Sequence, residues 1–445
     1  MKNHTRLHIQ QSSIWFSLCL LALVVGTAHL TYAQTETVIA GTQLNYAGMV
    51  FDSAGNLYGV TYYGGSSSNC GADIGCGTVF ELSPAGGTTW TQTTIYNFQN
   101  LSDGAYPLGG LVFDSAGNLY GTTSSGGLYS AGVAFELSPA SGNSWTFTSL
   151  YSFGQSNQSV PPSSPLTLDA AGNLYGITLG GGRYFYGSAF KLSNVAGVWK
   201  EQILHSFGGP GDGAQPYGPL VIDPQGNLYG TTSAGGSTTW GIVFELSHQP
   251  SGAWTENLLY TFASGGSPEA GLILDSAHNL YGTTFTGGTH GAGGVFRLTR
   301  VNQNGSLVWK YIQLYSFTAG ADGSNPASPL TFDALGNLYG TDAQPANNCQ
   351  GFYGCWQVFK LSVGSTGSWH IAALYPIPAQ SDPADGSLVL DSSGDIFGTA
   401  YDNQYFSGAE VYEVLSSLKE FWKAGDKRIG AESSDPNRYS QPPLN

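Results

Sequence analysis

The sequence predicts an all-β protein, a seven-bladed β-propeller of four-stranded antiparallel blades. Three observations predict this fold: one unit occurs seven times, each unit contains four short β segments, and the last unit lacks its fourth segment. At roughly 150 residues per domain, the length of 445 residues would instead suggest about three domains. Because a unit of about 55 residues is repeated along the chain, we instead expect one domain in which the units are arranged around a central axis.

The repeated unit is marked by the string FDSAGNLYG, which begins at Phe51 and recurs unchanged at Phe113. Five more copies follow with small changes, and successive copies are 62, 55, 54, 52, 58 and 58 residues apart. The aspartates of the seven copies are Asp52, Asp114, Asp169, Asp223, Asp275, Asp333 and Asp391.

Each unit contains four β segments separated by turn residues. The first is apolar, as in residues 166–168, and this is typical of a strand buried on both faces. The second reads Leu-Tyr-Gly-Thr-Thr, the third Val-Phe-Glu-Leu-Ser, and the fourth runs from a Trp to a Phe, as in residues 145–153. The turns are Asp-x-x-Gly-Asn and Ser-Pro-x-x-Gly, so each unit predicts one antiparallel blade.

The two ends of the repeat array complement each other. Unit seven stops after its third segment at residues 411–414, with no Trp-led segment behind it. Residues 35–39, Thr-Glu-Thr-Val-Ile, align with residues 91–95 of the first unit's fourth segment. We therefore expect the N-terminal strand to complete blade seven and close the ring, which leaves no open sheet edge.

The segments outside the array predict export. Residues 1–33 have Lys2 and Arg6 before an apolar run at 14–28, with cleavage expected after Ala33. This is the pattern of a signal peptide. Residues 34–415 form the propeller, and 416–445 are predicted to be a polar tail, flexible or loosely docked. The mature protein is expected to be secreted or periplasmic, monomeric, and without a membrane span.

Four cysteines remain after removal of the signal peptide, in two pairs of equal spacing. In an exported protein, Cys70 with Cys76 and Cys349 with Cys355 predict two local disulfides. A zinc site and free thiols are the alternatives. Neither pair has the spacing or the nearby histidines that are typical of zinc sites.

Composition excludes several function classes. Only 10% of the residues are charged, 13% are aromatic, and the net charge is −15. Disordered chains are charged and poor in aromatic residues, and an acidic surface repels a phosphate backbone. Disorder, a coiled coil and nucleic-acid binding are therefore not expected.

The residues repeated in every unit are expected to maintain the fold. The seven aspartates could be read as metal ligands, but an Asp that holds its own turn explains them better. Function is then expected where units differ, in the loops between strands two and three and the links between blades, which share one face. Exposed aromatic residues there suit a sugar ring or an extended peptide, or they pack on neighbouring loops. The candidate ligand-binding residues are Tyr63, Tyr129, Tyr184, Tyr186, Trp240, His290, Tyr353 and Tyr405.

No cofactor, metal site or catalytic residue is predicted. Ca²⁺ is a weaker alternative, because Asp-Gly pairs occur in four of the links and carboxylates are calcium ligands. The mature chain's histidines, among them His205, show no ligand spacing and are expected to be ordinary surface or strand residues. The Asp-Gly aspartates are Asp103, Asp212, Asp322 and Asp385.

The combined motifs resemble a known family. The Asp-x-x-Gly-Asn-Leu-Tyr-Gly-Thr-Thr, Gly-Gly, Val-Phe-Glu-Leu-Ser and Leu-Tyr-x-Phe blocks are similar to the Gloeo/Verruco tandem repeat of choice-of-anchor exported bacterial proteins, over nearly all of 35–415. The resemblance implies a secreted, propeller-like protein and brings neither catalytic residues nor a known ligand. Residues 416–445 lack the C-terminal sorting anchor of that family.

These observations favour a non-catalytic binding or interaction module for an extracellular glycan or protein. A polysaccharide-active hydrolase or lyase is the first alternative and needs two of Asp73, Asp342 and Asp402 to meet in one cleft. A structural protein of the envelope or matrix is the second.

Overall fold

The computed structural model describes residues 36–42, 48–71, 74–87, 89–156, 160, 162, 164–263, 265–344, 355–377, 381–383, 387–402 and 409–415. Within these ranges the chain forms β-strands and turns, without a helix, and the strands pair as seven antiparallel sheets. The protein is thus a seven-bladed β-propeller, as the sequence predicts. The predicted signal peptide, the tail and Cys349 lie outside the described residues.

Each blade is a meander in which consecutive strands pair. The strands of the N-terminal segment and of blades one to three are β1 (Glu36–Thr42), β2 (Val50–Phe51), β3 (Leu57–Thr61), β4 (Thr78–Gly86), β5 (Thr89–Asn97), β6 (Ala105–Pro107), β7 (Val112–Phe113), β8 (Leu119–Ser125), β9 (Val133–Ala140), β10 (Ser144–Ser152), β11 (Thr167–Leu168), β12 (Leu174–Thr178), β13 (Ser188–Val195) and β14 (Val198–Ser206). Those of blades four to seven are β15 (Gly213–Ile222), β16 (Leu228–Gly235), β17 (Ile242–His248), β18 (Trp254–Thr261), β19 (Ile273–Leu274), β20 (Leu280–Thr284), β21 (Gly294–Gln303), β22 (Ser306–Ser316), β23 (Thr331–Phe332), β24 (Leu338–Gln344), β25 (Cys355–Val363), β26 (Trp369–Ile377), β27 (Ser381–Pro383), β28 (Val389–Leu390), β29 (Ile396–Asp402) and β30 (Ala409–Val414).

The N-terminal strand β1 belongs to the same sheet as the last strands of the chain. It runs antiparallel to β30, with Glu36 opposite Val414 and Thr42 opposite Ala409. The β28–β29–β30 meander therefore has β1 as its outer neighbour.

Among the described residues, seven hydrophobic clusters fill the seven spaces between blades. Each cluster combines residues of two successive blades, as when Phe153 of blade two packs with Leu174 and Phe190 of blade three. The last cluster joins Phe397 and Val411 of blade seven to residues of blade one. The ring of blades is thereby closed through apolar packing.

The glycine of the Leu-Tyr-Gly motif makes room for a phenylalanine on the neighbouring strand. Gly176 pairs with Phe190, and a Cβ atom on Gly176 would lie 2.6 Å from Phe190 Cζ. The same close approach occurs at Gly59, Gly121 and Gly230. Any larger residue would displace a ring that fills the space between blades.

The first strand of a blade is shorter and more accessible than the sequence suggests. In blade three it comprises only Thr167 and Leu168, both half-buried, whereas every residue of β12 is buried. The first strand has a neighbouring strand on one side only, so part of its surface stays accessible. Burial on both faces belongs to the second strand.

The Asp-x-x-Gly-Asn turns are held by their own aspartates, as expected from the structural interpretation. Asp169 Oδ1 accepts hydrogen bonds from the backbone N–H groups of Ala171 (2.9 Å) and Asn173 (2.8 Å). Its Oδ2 accepts from the Asn173 amide (2.7 Å) and from the Tyr175 hydroxyl (2.9 Å). The carboxylate is fully used by the turn, and this explains its repetition in every blade.

Acidification is expected to destabilise the propeller below about pH 4. Burial raises the pKa of Asp169, but the hydrogen bonds from Asn173, Tyr175 and Ala171 outweigh it and hold the pKa below the usual value. A carboxyl group with a lowered folded-state pKa stabilises the protein above its unfolded pKa, and this contribution is lost as the pH falls through the folded pKa. The pKa is lowered in the same way at Asp114, Asp223, Asp275 and Asp333.

Chemical denaturation between pH 2.5 and pH 7 checks this expectation. The contribution of the turn aspartates to the free energy of unfolding should be nearly constant above about pH 5. Below about pH 4 the free energy of unfolding should fall steeply. The Asp169→Asn variant carries one titrating group fewer and should show a shallower fall. Equal slopes for the variant and the wild type would contradict the assignment.

Candidate functional site

The loops between strands two and three share one face of the ring with the links between blades. The backbone N–H of Gly127, in the loop of blade two, donates to the carbonyl of Leu101 in the preceding link (2.7 Å). The Gly236 N–H of blade four donates in the same way to the carbonyl of Asp212 (2.6 Å). These contacts define the loop face, which is the face where the sequence places the variable residues.

Four successive blades, two to five, carry the same loop on this face. Each loop reads Gly-Gly-x-x-x-x-Gly, and the last glycine's N–H donates to the first glycine's carbonyl at 2.9–3.3 Å. The third variable residue has a positive φ in every case, namely 58°, 64°, 67° and 77°. The loops span residues 126–132, 181–187, 235–241 and 287–293. A constant backbone thus presents different side chains from blade to blade.

Large apolar side chains on these loops are exposed in blades two, three and four. Tyr129 is 48% exposed, Tyr184 38%, Tyr186 52% and Trp240 41%. Phe185, between Tyr184 and Tyr186, is 67% exposed. The three blades are consecutive, so these rings follow one arc of the loop face.

The rings of blade three rest on the link that follows the blade. A Cβ atom on Gly208 would lie 2.5 Å from the Tyr186 ring, and one on Gly209 would lie 3.3 Å from the Tyr184 ring. The Arg183 guanidinium lies 5.5 Å from the centre of the Tyr184 ring. The glycines let the rings settle closely onto the backbone, and the rings keep part of their surface in solvent.

The remaining predicted contact residues differ in their surroundings. Tyr63 is half-buried and packs edge-on against Tyr62 (4.8 Å) and Tyr106 (5.8 Å), so it contributes to a packed aromatic group beside the arc. His290 is exposed in the loop of blade five. Tyr353 and Tyr405 lie outside the described residues.

One predicted disulfide is present, between Cys70 and Cys76 in the loop of blade one, with a Cα–Cα distance of 5.3 Å. Disulfides persist in oxidising compartments, so the bond indicates an extracellular or periplasmic environment. The predicted bond between Cys349 and Cys355 falls on residues whose side chains lie outside the described part of the chain.

Two of the Asp-Gly aspartates hold their own links. Asp103 accepts hydrogen bonds from the Tyr96 hydroxyl (3.0 Å) and from the Gln99 and Leu101 N–H groups (2.8 and 3.1 Å). Asp322 accepts from the Tyr315 hydroxyl at 2.9 Å. The carboxylate oxygens of these two aspartates thus accept hydrogen bonds within the link. This agrees with the interpretation of the Asp-Gly pairs as turn residues, to which Ca²⁺ binding was the alternative. Asp385 lies outside the described residues.

Of the three acidic residues considered for hydrolysis, Asp342 is the one whose side chain the structure describes. Asp342 lies on β24 with its side chain fully buried, and burial raises its pKa well above the usual range. Asp73 and the side chain of Asp402 lie outside the described residues. No helix in the described part of the chain is long and apolar enough to cross a membrane.

A cluster that sequence reasoning missed lies between blades three and four. His205 Nε2 is 2.9 Å from Asp212 Oδ2 and 3.6 Å from Glu256 Oε2. Burial lowers the pKa of His205, but the hydrogen bond to the Asp212 carboxylate and the charge of Glu256 outweigh it and raise the pKa above its usual value. Burial raises the pKa of Glu256 to about 7, with Asp212 raising it and His205 lowering it.

The sequence did contain a signal for this cluster. His205 occupies the position where other units have the Tyr of Leu-Tyr-x-Phe, and Asp212 belongs to an Asp-Gly link. Glu256 lies on the next blade, 44 positions beyond Asp212, so linear spacing alone does not join the three residues. A position-by-position comparison of the units would have marked His205 as unusual.

Comparison with known proteins agrees with the repeat. The Gloeobacter/Verrucomicrobia repeat matches residues 45–265 and 162–412. None of the curated proteins matches the chain. Among solved structures, virginiamycin B lyase from Staphylococcus aureus is similar at 11% identity and a TM-score of 0.49, over 86% of this chain and 99% of that one. A protein of unknown function from Dyadobacter fermentans is similar at 10% identity and a TM-score of 0.39, over 86% and 98%.

Proposed function

The chain belongs to the Gloeobacter/Verrucomicrobia repeat family, and from that premise we propose that it is an exported, non-catalytic binding module for a neutral polysaccharide. The binding surface is the arc of exposed rings on the loops of blades two to four. The observation that carries the proposal is the constant loop backbone with varied, exposed aromatic side chains.

The chemistry of these rings suits sugars. A sugar ring presents a face of C–H groups that packs on an aromatic face, and Tyr and Trp add a polar group at the ring edge. Tyr184, Tyr186 and Trp240 each combine an exposed ring with a short, hydrogen-bonded loop. Rings held on such loops lose little conformational freedom on binding, which favours affinity.

The net charge of the protein favours neutral over acidic polysaccharides as ligands. The protein carries a net charge of −15, so acidic polymers are repelled at low ionic strength. Arg183 beside Tyr184 supplies a hydrogen-bond donor for sugar hydroxyls. Neutral polymers such as cellulose, xylan and β-1,3-glucan are therefore the probes of choice.

We expect affinity electrophoresis or pull-down to retain the mature protein on at least one of these three polymers. A triple variant with alanine in place of Tyr184, Tyr186 and Trp240 should bind that polymer more weakly. We expect a loss of at least tenfold for each ring that contacts the sugar, which corresponds to about 1.4 kcal/mol of binding free energy per ring.

The matched control is Leu335→Ala, which removes an exposed apolar side chain from the turn between strands one and two, on the opposite face. Its binding should equal that of the wild type. The proposal would be contradicted if the wild type and the Leu335→Ala control bound none of the three polymers. It would also be contradicted if Leu335→Ala lost as much affinity as the triple variant. Binding of an unfolded peptide library in place of glycans would reassign the arc to peptide recognition.

A further inference from the structure

The boundary between blades three and four holds an imidazole and two carboxylates at its outer strands. His205 lies near the end of β14, Asp212 in the link after it, and Glu256 on β18 of the next blade. One candidate ligand atom from each residue lies within 4.8 Å of the other two. Among the described residues, this is the one group of three His, Cys, Asp or Glu side chains with such geometry.

The equivalent positions at other blade boundaries are occupied by stacked rings or single hydrogen bonds. At the boundary of blades one and two, Tyr96 stacks on Phe147 with ring centres 4.5 Å apart. At the boundary of blades four and five, Tyr260 stacks on Tyr311 at 4.4 Å. Packing between blades therefore does not require charged groups at these positions.

The strand registers show that these positions are equivalent. Tyr96 and Tyr260 each pair with the Val of Val-Phe-Glu-Leu, where His205 pairs with Ala189. Phe147, Tyr311 and Glu256 all pair with the Leu of that motif on the adjacent strand, namely Leu137, Leu298 and Leu246. His205 and Glu256 thus replace both members of a ring stack, one from each blade.

The cluster has two carboxyl groups beside one imidazole, and it has an unused ligand atom. Glu256 Oε1 is buried and has no hydrogen-bond partner, while the side chains of His205, Asp212 and Glu256 keep 22%, 9% and 16% of their surface exposed. Within the described ranges, no Lys or Arg forms an ion pair with either carboxylate. Two half-buried carboxylates facing one imidazole are stabilised by a cation that all three can contact.

We propose that His205, Asp212 and Glu256 bind a divalent transition-metal ion of the Zn²⁺ type. One imidazole nitrogen with two carboxylate oxygens is a donor set that Zn²⁺ accepts at about 2.0–2.2 Å, with a fourth position left for water. The ion takes the place of the hydrogen bond between His205 Nε2 and Asp212 Oδ2. Mixed nitrogen and oxygen ligation favours a transition metal over Ca²⁺, which takes six to eight oxygens.

The ion would connect two blades and the link between them. That link carries Gly208 and Gly209, on which the Tyr186 and Tyr184 rings rest, and the Asp212 carbonyl accepts a hydrogen bond from Gly236 of the blade-four loop. Metal binding therefore fixes the backbone that supports the aromatic arc. The metal site exists independently of whether the arc binds a polysaccharide.

Titration of the chelator-treated mature protein with ZnCl₂ in a calorimeter tests the proposal, with CoCl₂ as a coloured probe. We expect about one ion per chain, a visible Co²⁺ absorption typical of low coordination number, and a higher melting temperature with metal. His205→Tyr introduces the residue that five other units carry at this position, so it preserves the fold. It should weaken metal binding at least tenfold and abolish the shift in melting temperature.

Two further variants separate this site from other histidines. Glu256→Gln should also weaken binding at least tenfold, whereas His290→Ala, which removes an exposed histidine from blade five, should leave it unchanged. The proposal is overturned if the folded wild type binds no metal, if His205→Tyr binds as tightly as the wild type, or if only His290→Ala reduces binding.

Discussion

Replacing Phe190 by alanine is expected to lower the free energy of unfolding by about 3–5 kcal/mol. Phe190 is fully buried, covers Gly176 on the neighbouring strand, and contacts Phe153 of the preceding blade edge-to-face at 5.6 Å. The truncation opens a cavity at a boundary between blades, where strands on both sides are already paired and cannot close around it. The midpoint of urea-induced unfolding, followed by tryptophan fluorescence, measures the effect.

Phe185→Ala is the matched control for Phe190→Ala. Both replacements remove a phenylalanine from blade three, but Phe185 is 67% exposed on the loop face. The control should change the free energy of unfolding by no more than about 0.5 kcal/mol. A similar loss in both variants would show that burial between the blades is not what distinguishes Phe190 from the exposed Phe185.

Asp169→Ala is expected to cost about 2–4 kcal/mol, because one replacement removes the acceptor of four hydrogen bonds. The hydroxyl of Tyr175, a residue only 3% exposed, then loses its charged partner inside the protein. Thermal unfolding at pH 7 measures the loss. Asp169→Asn keeps the shape and an acceptor oxygen and should recover part of it.

Blade seven supplies the control for the turn aspartate. Asp391 accepts bonds from the N–H groups of Ser393 (2.8 Å) and Asp395 (2.9 Å), but the position of Tyr175 is taken there by Phe397, which has no hydroxyl. Asp391→Ala should therefore cost less than Asp169→Ala, about 1–2 kcal/mol. Equal costs would mean that the backbone bonds alone account for the stabilisation and that the Asn173 amide and the Tyr175 hydroxyl add nothing.

Repetition explains why the sequence predicts the fold so well. A residue that packs between blades, such as Phe190, recurs as Phe at the same place in six units and is replaced by Tyr412 in the seventh. Asp169 and the glycine at position 176 recur in all seven units. Local turn chemistry and strand periodicity together define a blade, and blades of this size pack radially.

The candidate site was predicted less completely. The exposed rings of Tyr129, Tyr184, Tyr186 and Trp240 were expected from their loops, but the half-buried packing of Tyr63 was not, because it depends on Tyr106 from the following link. Whether an aromatic loop residue faces solvent depends on what the neighbouring link places beneath it. That information is absent from the loop's own sequence.

The sequence by itself determined the number of blades, their strands and the role of the repeated residues, because those features follow from local periodicity and turn chemistry. Only the tertiary structure decided which rings stay exposed, that Asp342 is buried, and that His205 meets Asp212 and Glu256. The physical reason is that these properties arise between blades. A contact across a blade boundary joins residues about one repeat apart, and no local pattern in the chain specifies their distance.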